Sequence, residues 1–454
     1  MIFKNIIKYL DISISSIINP LLKLIDTYTA IALLIIFIIY STILFSHISK
    51  PDRTYFDETN NLRVAKETVL ERKQNPWVHP WLGEYFFAVS IKLFSDKNIH
   101  LAGRTATALF GLFGLFFIYK LSRLLFNNNI AALLSLLIVM TDGIYFVQSR
   151  TSMFDIVVLA FNIAAVYYAL LFIKTDKIKF LIVSSIFMGL AISTKWNAVF
   201  NLGFILTIVI FLKKIIPYFS RAHDFSYTIF SLKISGSKNN INNLVSKLST
   251  ANILCILIAI PIVIYILHYF PVMNVYEGFP YIFNHQEYMY NFHTTLSEDH
   301  NYSASAPTWL FLIRPIWYDY VQNNDIVEGI ICLGNPAVIW LGVISLLFLL
   351  YNLIVKRFSK ISCFIIIFFL YNYLPWILNA RKMQFYYYSL PLIPIYALSI
   401  SQTINILENK FKKIFTIILM YIIIAIFFYY LPIWSGEKIH YTELLKKIWF
   451  NSWF

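Results

Sequence analysis

The sequence predicts an all-α polytopic membrane protein that crosses the bilayer about eleven times. Three observations carry that expectation. Of 454 residues, 59% are apolar and only 13% charged, a balance that places the chain outside the usual range of soluble domains. Apolar runs of bilayer-spanning length recur along the chain, and the basic residues collect in short connections between them. Such clustering suits loops that face an anionic cytoplasmic leaflet.

Residues 1–27 mix Lys4, Lys8, Asp11, Lys23 and Asp26 with Ile and Leu at helical spacing. This is the pattern of an interfacial amphipathic helix rather than of a cleaved signal peptide. Spans follow near 28–47, 101–120, 129–142, 152–173, 178–194, 197–213, 251–270, 334–355, 361–378, 384–406 and 414–432, the third of them short. With the N-terminus in the cytoplasm, KLSRLLFNNN, KTDKIK, the stretch from Lys213 to Thr250, KRFSK and ENKFKK all fall on the inner side, as the positive-inside bias requires. The outer side receives 48–100, the TDGIYFVQSR and KWN turns, 271–333, NARKMQ and the tail from about Ile433. The domain reading is an interfacial helix (1–27), an N-terminal transmembrane module (28–270) with a first outer loop (48–100), an extracytoplasmic loop (271–333) and a C-terminal four-helix-type region with an outer tail (334–454).

Several classes of function lose support at this stage. A net charge of +14 could suit nucleic acid, but the cations are spread over loops instead of forming one patch. Cys255, Cys332 and Cys363 lie in or beside apolar runs, with no metal-ligand spacing and no disulfide framework. There is no GxGxxG, GKS/T phosphate loop, HExxH or GxSxG, so nucleotide cofactors and hydrolase nucleophiles find no motif. His285, His293 and His300 are spaced by eight and seven residues, which fits no standard metal site. No cofactor is expected, although a divalent metal stays conceivable. A transporter or flippase would place ionisable groups at mid-membrane on repeated, broken helices, and no such repeat is visible.

The ionisable residues instead gather at predicted outer ends. Asp57 and Glu58 stand just after the first span in YFDETN. Their plain structural reading is an N-cap and a first-turn acid. Arg104, Arg150, Lys195 and Arg381 sit at outer ends of spans, where cations are depleted. Singly, Arg150 could pair with Asp155 and Arg104 could snorkel; together the four argue for an anionic ligand such as a lipid-carried phosphate. The loop 271–333 adds His, Tyr and Trp suited to a sugar or a peptide.

These residues, in this order, resemble the bacterial-type protein O-mannosyltransferases, integral-membrane enzymes of the GT-C superfamily that use polyprenyl-phosphate mannose. The resemblance rests on FDE, on HPWLG where the family shows His-Pro-Pro-Leu-Gly, and on GLAISTKWNAVF in the N-terminal half. SASAPTWLFLIRPIWYDY, LGNPAVIW, LPWILNARKMQFYYYSLPLIPIYAL and PIWSGEKIHYTELLKKIWFNSWF carry it in the C-terminal half. Trp81 replaces the second Pro of the family pattern, and Glu84 stands where eukaryotic members often carry Lys. The loop 271–333 is too short for the β-trefoil repeats of the eukaryotic enzymes.

The resemblance implies a GT-C fold with an outer-face active site formed by the first loop and 271–333, in a multi-pass protein of the inner (plasma) membrane. It implies inverting transfer of mannose from a polyprenyl-phosphate donor to Ser or Thr hydroxyls of proteins. Asp57 would be the general base, with Glu58 beside it shaping the acceptor site. Arg104 and Lys195, then Arg150 and Arg381, would face the donor phosphate; His79, Trp196, Asp155 and Arg314 would line the acceptor and sugar. A related enzyme moving aminoarabinose or another sugar to a lipid acceptor would share the first-loop acid and the outer cations.

Overall fold

The computed structural model describes residues 20, 24, 26–94, 97–215, 227–229, 232–234, 248–295, 300–355, 359–378, 383–407 and 409–454. The amphipathic-helix reading of 1–27 and the position of Arg381 therefore lie largely or wholly outside the described residues. In chain order, α1 (Thr29–Phe45) leads into a first loop that folds as α2 (Glu58–Val64), a π turn (Ala65–Leu70) and α3 (Leu82–Phe94). There follow α4 (Ile99–Phe126), α5 (Asn129–Met140), α6 (Gly143–Gln148), α7 (Asp155–Thr175), α8 (Ile178–Thr194) and α9 (Val199–Ile210). Between α9 and α10 (Thr250–Leu267) lie two short paired strands, β1 (Tyr227–Ile229) and β2 (Leu232–Ile234). The second half comprises α11 (Pro280–Thr295), β3 (Ile316–Asn323), β4 (Ile326–Cys332), α12 (Pro336–Val355), α13 (Lys360–Leu378), α14 (Leu392–Ile406), α15 (Asn409–Ser435), β5 (Ile439–His440) and α16 (Tyr441–Lys447).

Among the described residues, seven helices are long and apolar enough to cross a membrane: Ile99–Phe126, Asp155–Thr175, Trp196–Lys213, Thr250–Met273, Pro336–Val355, Lys360–Leu378 and Lys412–Ser435. Four shorter apolar helices, α1, α5, α8 and α14, lie where the remaining predicted spans fall. The protein is thus a multi-pass membrane protein. Helix α7 is its centre, packed against α4, α8 and α9 and buried along nearly its whole length. Helix α5 is short but also almost wholly buried, held between α4 and α14.

Helix ends follow local chemistry. Asn127 and Asp176 take left-handed conformations (φ 50° and 57°) after α4 and α7, positions that Asn and Asp tolerate better than most residues. Asn128 caps α5 by accepting from the Ala131 N–H at 3.0 Å. The predicted span 384–406 begins late. Residues Tyr386–Ser389 form a 3₁₀ turn, and α14 starts only at Leu392, after Pro391, which suits a helix start and has no N–H to continue one.

A small antiparallel sheet, absent from the all-helical expectation, lies inside the predicted 271–333 loop. Strands β3 and β4 pair from Ile316↔Cys332 to Asn323↔Ile326, and β5 of the tail joins β4. Asn324 and Asp325 make the two-residue turn, with Asn324 at φ 53°, the positive φ that such tight hairpins favour. The tail is pinned beneath the hairpin: Trp317 Nε1 donates to the Trp453 carbonyl at 2.9 Å, and Trp453 Nε1 donates to the Leu312 carbonyl at 2.6 Å.

The first loop has its own apolar core, in which Leu62, Trp77, Trp81 and Phe87 pack with Phe154, Tyr269 and Val272. Trp81, the departure from the family pattern, is fully buried there and donates to the Tyr281 hydroxyl at 3.2 Å. Glu84 is fully buried in α3, and neither carboxyl oxygen has a hydrogen-bond partner. Burial therefore pushes its pKa well above the ordinary 4.5. The unfolded chain gives up this proton above about 4.5 and the folded chain only at higher pH, so stability falls as pH rises through the window between the two. Glu84→Gln is expected to melt at a higher temperature than the parent at pH 8 and level with it near pH 4, in thermal unfolding in detergent. Equal melting at both pH values removes this account of Glu84.

Candidate active site

The two adjacent first-loop acids point to different places. Asp57 occupies the N-cap position of α2, yet its side chain makes no capping bond; it takes helical dihedrals and lines a cavity of about 600 Å³. The Tyr387 hydroxyl stands 3.5 Å from Asp57 Oδ2. Phe56, the preceding residue, is held at φ 47°, a rare conformation for an aromatic residue. Glu58 turns inward and is fully buried.

The partner of Glu58 is Arg104, on α4. Arg104 Nη2 reaches Glu58 Oε1 at 2.6 Å and Nε reaches Oε2 at 3.2 Å, with both side chains at 0% exposure. The remaining guanidinium donors go to the carbonyls of Ile48, Pro51 and Arg53 at 3.2, 2.9 and 2.7 Å, and Tyr55 lies flat beneath the group. Glu58 also accepts from the backbone N–H groups of Tyr55 and Ser152, each at 3.2 Å. Burial raises the Glu58 carboxyl, and Arg104 with the two N–H donors pulls it back.

Among the described residues, Lys195 is the expected cation that does reach the cavity. It follows the last residue of α8, and its Nζ contacts both carboxylate oxygens of Asp155 at 2.9 and 3.0 Å. The same ammonium lies 5.8 and 5.4 Å from the ring centres of Tyr387 and Tyr388. His79 and Trp196 also line the cavity. Trp196 Nε1 donates to the Tyr265 hydroxyl at 2.8 Å, while His79 lies 5.4 Å from the His293 ring in a tilted pair.

The other expected cations among the described residues are elsewhere. Arg150 is buried and donates to the carbonyls of Leu44 (2.5 Å), Ser46 (2.8 Å), His47 (3.0 Å) and Ser435 (3.4 Å). It serves carbonyls at and just after the end of α1, which has no basic residue in its own last turn, and the last carbonyl of α15. The pairing of Arg150 with Asp155 is not formed, because Asp155 holds Lys195. Arg314 donates to the carbonyls of Asn301, Ser452 and Phe454, tying the loop to the tail. Neither Arg104, Arg150 nor Arg314 lines the cavity.

Of the remaining cavity residues, Phe385, Tyr387, Tyr388 and Trp376 escaped the sequence reading as site residues, whereas His293 and His300 were weighed there. Tyr387 stands between Asp57 and Lys195, Tyr388 lies beside Lys195, and Trp376 and Phe385 extend the same wall; His293 and His300 also line the cavity, His300 edge-on to Phe385 at 5.0 Å. The run FYYY beside Arg381 was the available signal. Among the described residues no cluster of three His, Cys, Asp or Glu side chains is arranged to hold a metal.

Two family models match the chain. Residues 78–229 match a dolichyl-phosphate-mannose-protein mannosyltransferase model, and residues 279–453 match the C-terminal four-transmembrane region of protein O-mannosyltransferases. Polyprenol-phosphate-mannose–protein mannosyltransferases of Mycolicibacterium smegmatis and Corynebacterium glutamicum are each 21% identical, over 83% of this chain and 82% and 81% of theirs. The Saccharomyces cerevisiae Pmt1-Pmt2 complex bound to the sugar donor shares the fold at a TM-score of 0.76, with 13% identity over 92% of this chain and 91% of that one. ArnT of Cupriavidus metallidurans bound to undecaprenyl phosphate shares it at 0.56, with 16% identity over 87% of this chain and 64% of that one.

The Glu58–Arg104 pair sets a stability test. Arg104→Met leaves a buried carboxylate and three carbonyls without their donor, a loss of about 3–5 kcal/mol. Thermal unfolding in detergent is expected to show a large drop in Tm that Glu58→Gln, added to Arg104→Met, partly restores; an unchanged Tm in Arg104→Met removes the structural role.

Proposed function

We infer the reaction from one premise: the chain belongs to the protein O-mannosyltransferase family of GT-C type. It is a glycosyltransferase that moves mannose from a polyprenyl-phosphate carrier to protein. The observation that carries the mechanism is that Asp57, and not its neighbour Glu58, faces a cavity whose wall also bears Lys195.

The acceptor is a Ser or Thr hydroxyl, a poor nucleophile until a positioned base takes its proton. Asp57 accepts that proton as the hydroxyl oxygen bonds to the anomeric carbon. The bond from that carbon to the phosphate oxygen breaks on the opposite face, so configuration inverts and the polyprenyl phosphate leaves with the electron pair. Negative charge grows on that phosphate, and a cation fixed beforehand stabilises it more than it stabilises the bound donor. Lys195 is that cation. Asp155 holds its ammonium in place, and Arg381, two residues before the cavity-lining Met383, is the second candidate.

Glu58 and Arg104 act one layer behind. They fix the turn that carries Asp57 and leave the acceptor to others. His79, Trp196 and His293 offer rings that suit the apolar faces of a sugar. Charge distribution along the sequence supports an extracytoplasmic cavity, since the strongly basic short connections belong to the opposite end of the spans.

With purified protein in detergent, radiolabelled polyprenyl-phosphate mannose and a Ser/Thr-rich peptide, Asp57→Asn is expected to lower transfer by about 10²–10⁴-fold while donor binding is kept. Transfer near the parent rate sinks the base assignment. Lys195→Ala is expected to raise the donor KM more than the peptide KM; unchanged donor saturation removes Lys195 from the phosphate site.

A further inference from the structure

The turn that carries Asp57 is gripped from the β3–β4 hairpin at two points, through Asp319, Glu328 and Tyr318, none of which lines the cavity. The first grip is ionic. Arg53 pairs with Asp319 on β3 through Nη2 and Nε, and its Nη1 donates to Glu328 Oε2 on β4 at 2.8 Å. Glu328 stands opposite Val321, two residues from Asp319, so the carboxylates are diagonal neighbours on one face of the ladder. Two such acids repel unless a cation sits between them, and the planar fork of an arginine can serve both. The carbonyl of the same Arg53 accepts from Arg104, whose other donors hold Glu58.

The second grip is aromatic. The ladder slips between Trp317 and Asp319, which leaves Tyr318 as the extra residue of a bulge and re-aims its side chain. Tyr318 stacks on Phe56 with ring centres 4.6 Å apart and planes 17° apart, and its hydroxyl accepts from Gln148 Nε2 at 2.7 Å. Phe56 is the residue at φ 47° directly before Asp57. A bulky side chain holds that conformation only where its surroundings enforce it. Phe385 and Tyr387 complete the enclosure with edge-on contacts at 6.4 and 5.9 Å. Releasing the Phe56 ring frees the backbone to leave the left-handed region, and the direction of the next side chain turns with it.

We propose that the β3–β4 hairpin fixes the aim of Asp57, with Arg53 and Tyr318 as positioning residues. The proposal rests on Asp57 being the base. A positioned group acts through geometry, and a misplacement of about 1 Å can cost about a hundredfold in rate. Substrate affinity, set by cavity residues that the hairpin does not supply, stays as it is.

The test uses the full-length protein in detergent and measures kcat, KM for polyprenyl-phosphate mannose and for a Ser/Thr peptide, and Tm. Tyr318→Leu and Arg53→Met are each expected to lower kcat by about ten- to a hundredfold, with both KM values within about twofold of the parent. Tyr318→Phe, which keeps the stack, is expected to retain most of kcat. Parent kcat in both Tyr318→Leu and Arg53→Met overturns the proposal, and so does loss of activity that tracks a fall in Tm across all variants. Where Arg53→Met does not purify folded, Glu328→Gln decides, since it leaves Arg53 on Asp319: kcat lowered about threefold or more at unchanged KM supports the grip, and parent kcat refutes it. Asp57→Asn is run beside them. An active Asp57→Asn removes the base reading, whereas an inactive Asp57→Asn beside hairpin variants of parent activity removes the positioning role alone.

Discussion

The buried ion pair of Glu58 with Arg104 is the constraint around which the rest of the site is arranged. Two charges taken fully out of water are tolerated only when their remaining donors and acceptors are also satisfied. Arg104 meets that condition by spreading its donors over Glu58 and three carbonyls of the segment 48–53, and Glu58 meets it with two further backbone N–H groups. A lysine has neither the fork nor the number of donors to do this. The pair nails the first loop to the top of α4 and Ser152 to the loop. Because Glu58 must point inward, Asp57, one residue earlier at the helix entrance, is left to face the cavity.

The same logic explains cations that the charge bias made conspicuous. Arg150 and Arg314 are each occupied by backbone carbonyls, those at and just after the close of α1 for one and those of the C-terminal tail for the other. Arginine near a membrane boundary can therefore serve backbone rather than ligand. Lys195 differs in kind: it is a point charge whose partner, Asp155, lies on the cavity wall with it, under the rings of Tyr387 and Tyr388.

The helical framework was legible because it depends on the length and apolarity of runs, which composition displays directly. Cavity membership was legible for Asp57, Lys195, His79, Trp196 and Asp155, whose positions in the first loop or at the ends of spans bring them to one end of the bundle. The partners of Arg104, Arg150 and Arg314 were not, because most are backbone carbonyls, and a carbonyl carries no residue identity to read. The hairpin was readable in principle: IWYDYVQN and IVEGIIC alternate aromatic or β-branched residues around an Asn-Asp turn. It was hidden by lying in a loop whose neighbours are all membrane helices, where an apolar strand looks like one more piece of helix.

A site assembled from residues 56 to 388 has to solve a problem of precision, since most of its wall comes from turns and helix ends. The structure answers with enclosure. Phe56 is clasped by Tyr318, Phe385 and Tyr387; Tyr387 in turn stands between Asp57 and Lys195. The aromatic wall thus joins Asp57 to Lys195, the two groups to which the proposed mechanism gives the proton and the departing phosphate. Rings suit this task because two torsions fix a large, stiff contact surface, whereas a chain of flexible side chains would pay out the same distance in rotamer freedom. Asp57 and Lys195 thus share one stiff wall of the cavity, and in the proposed reaction the acceptor hydroxyl would meet Asp57 on one face of the anomeric carbon while the phosphate leaves from the other.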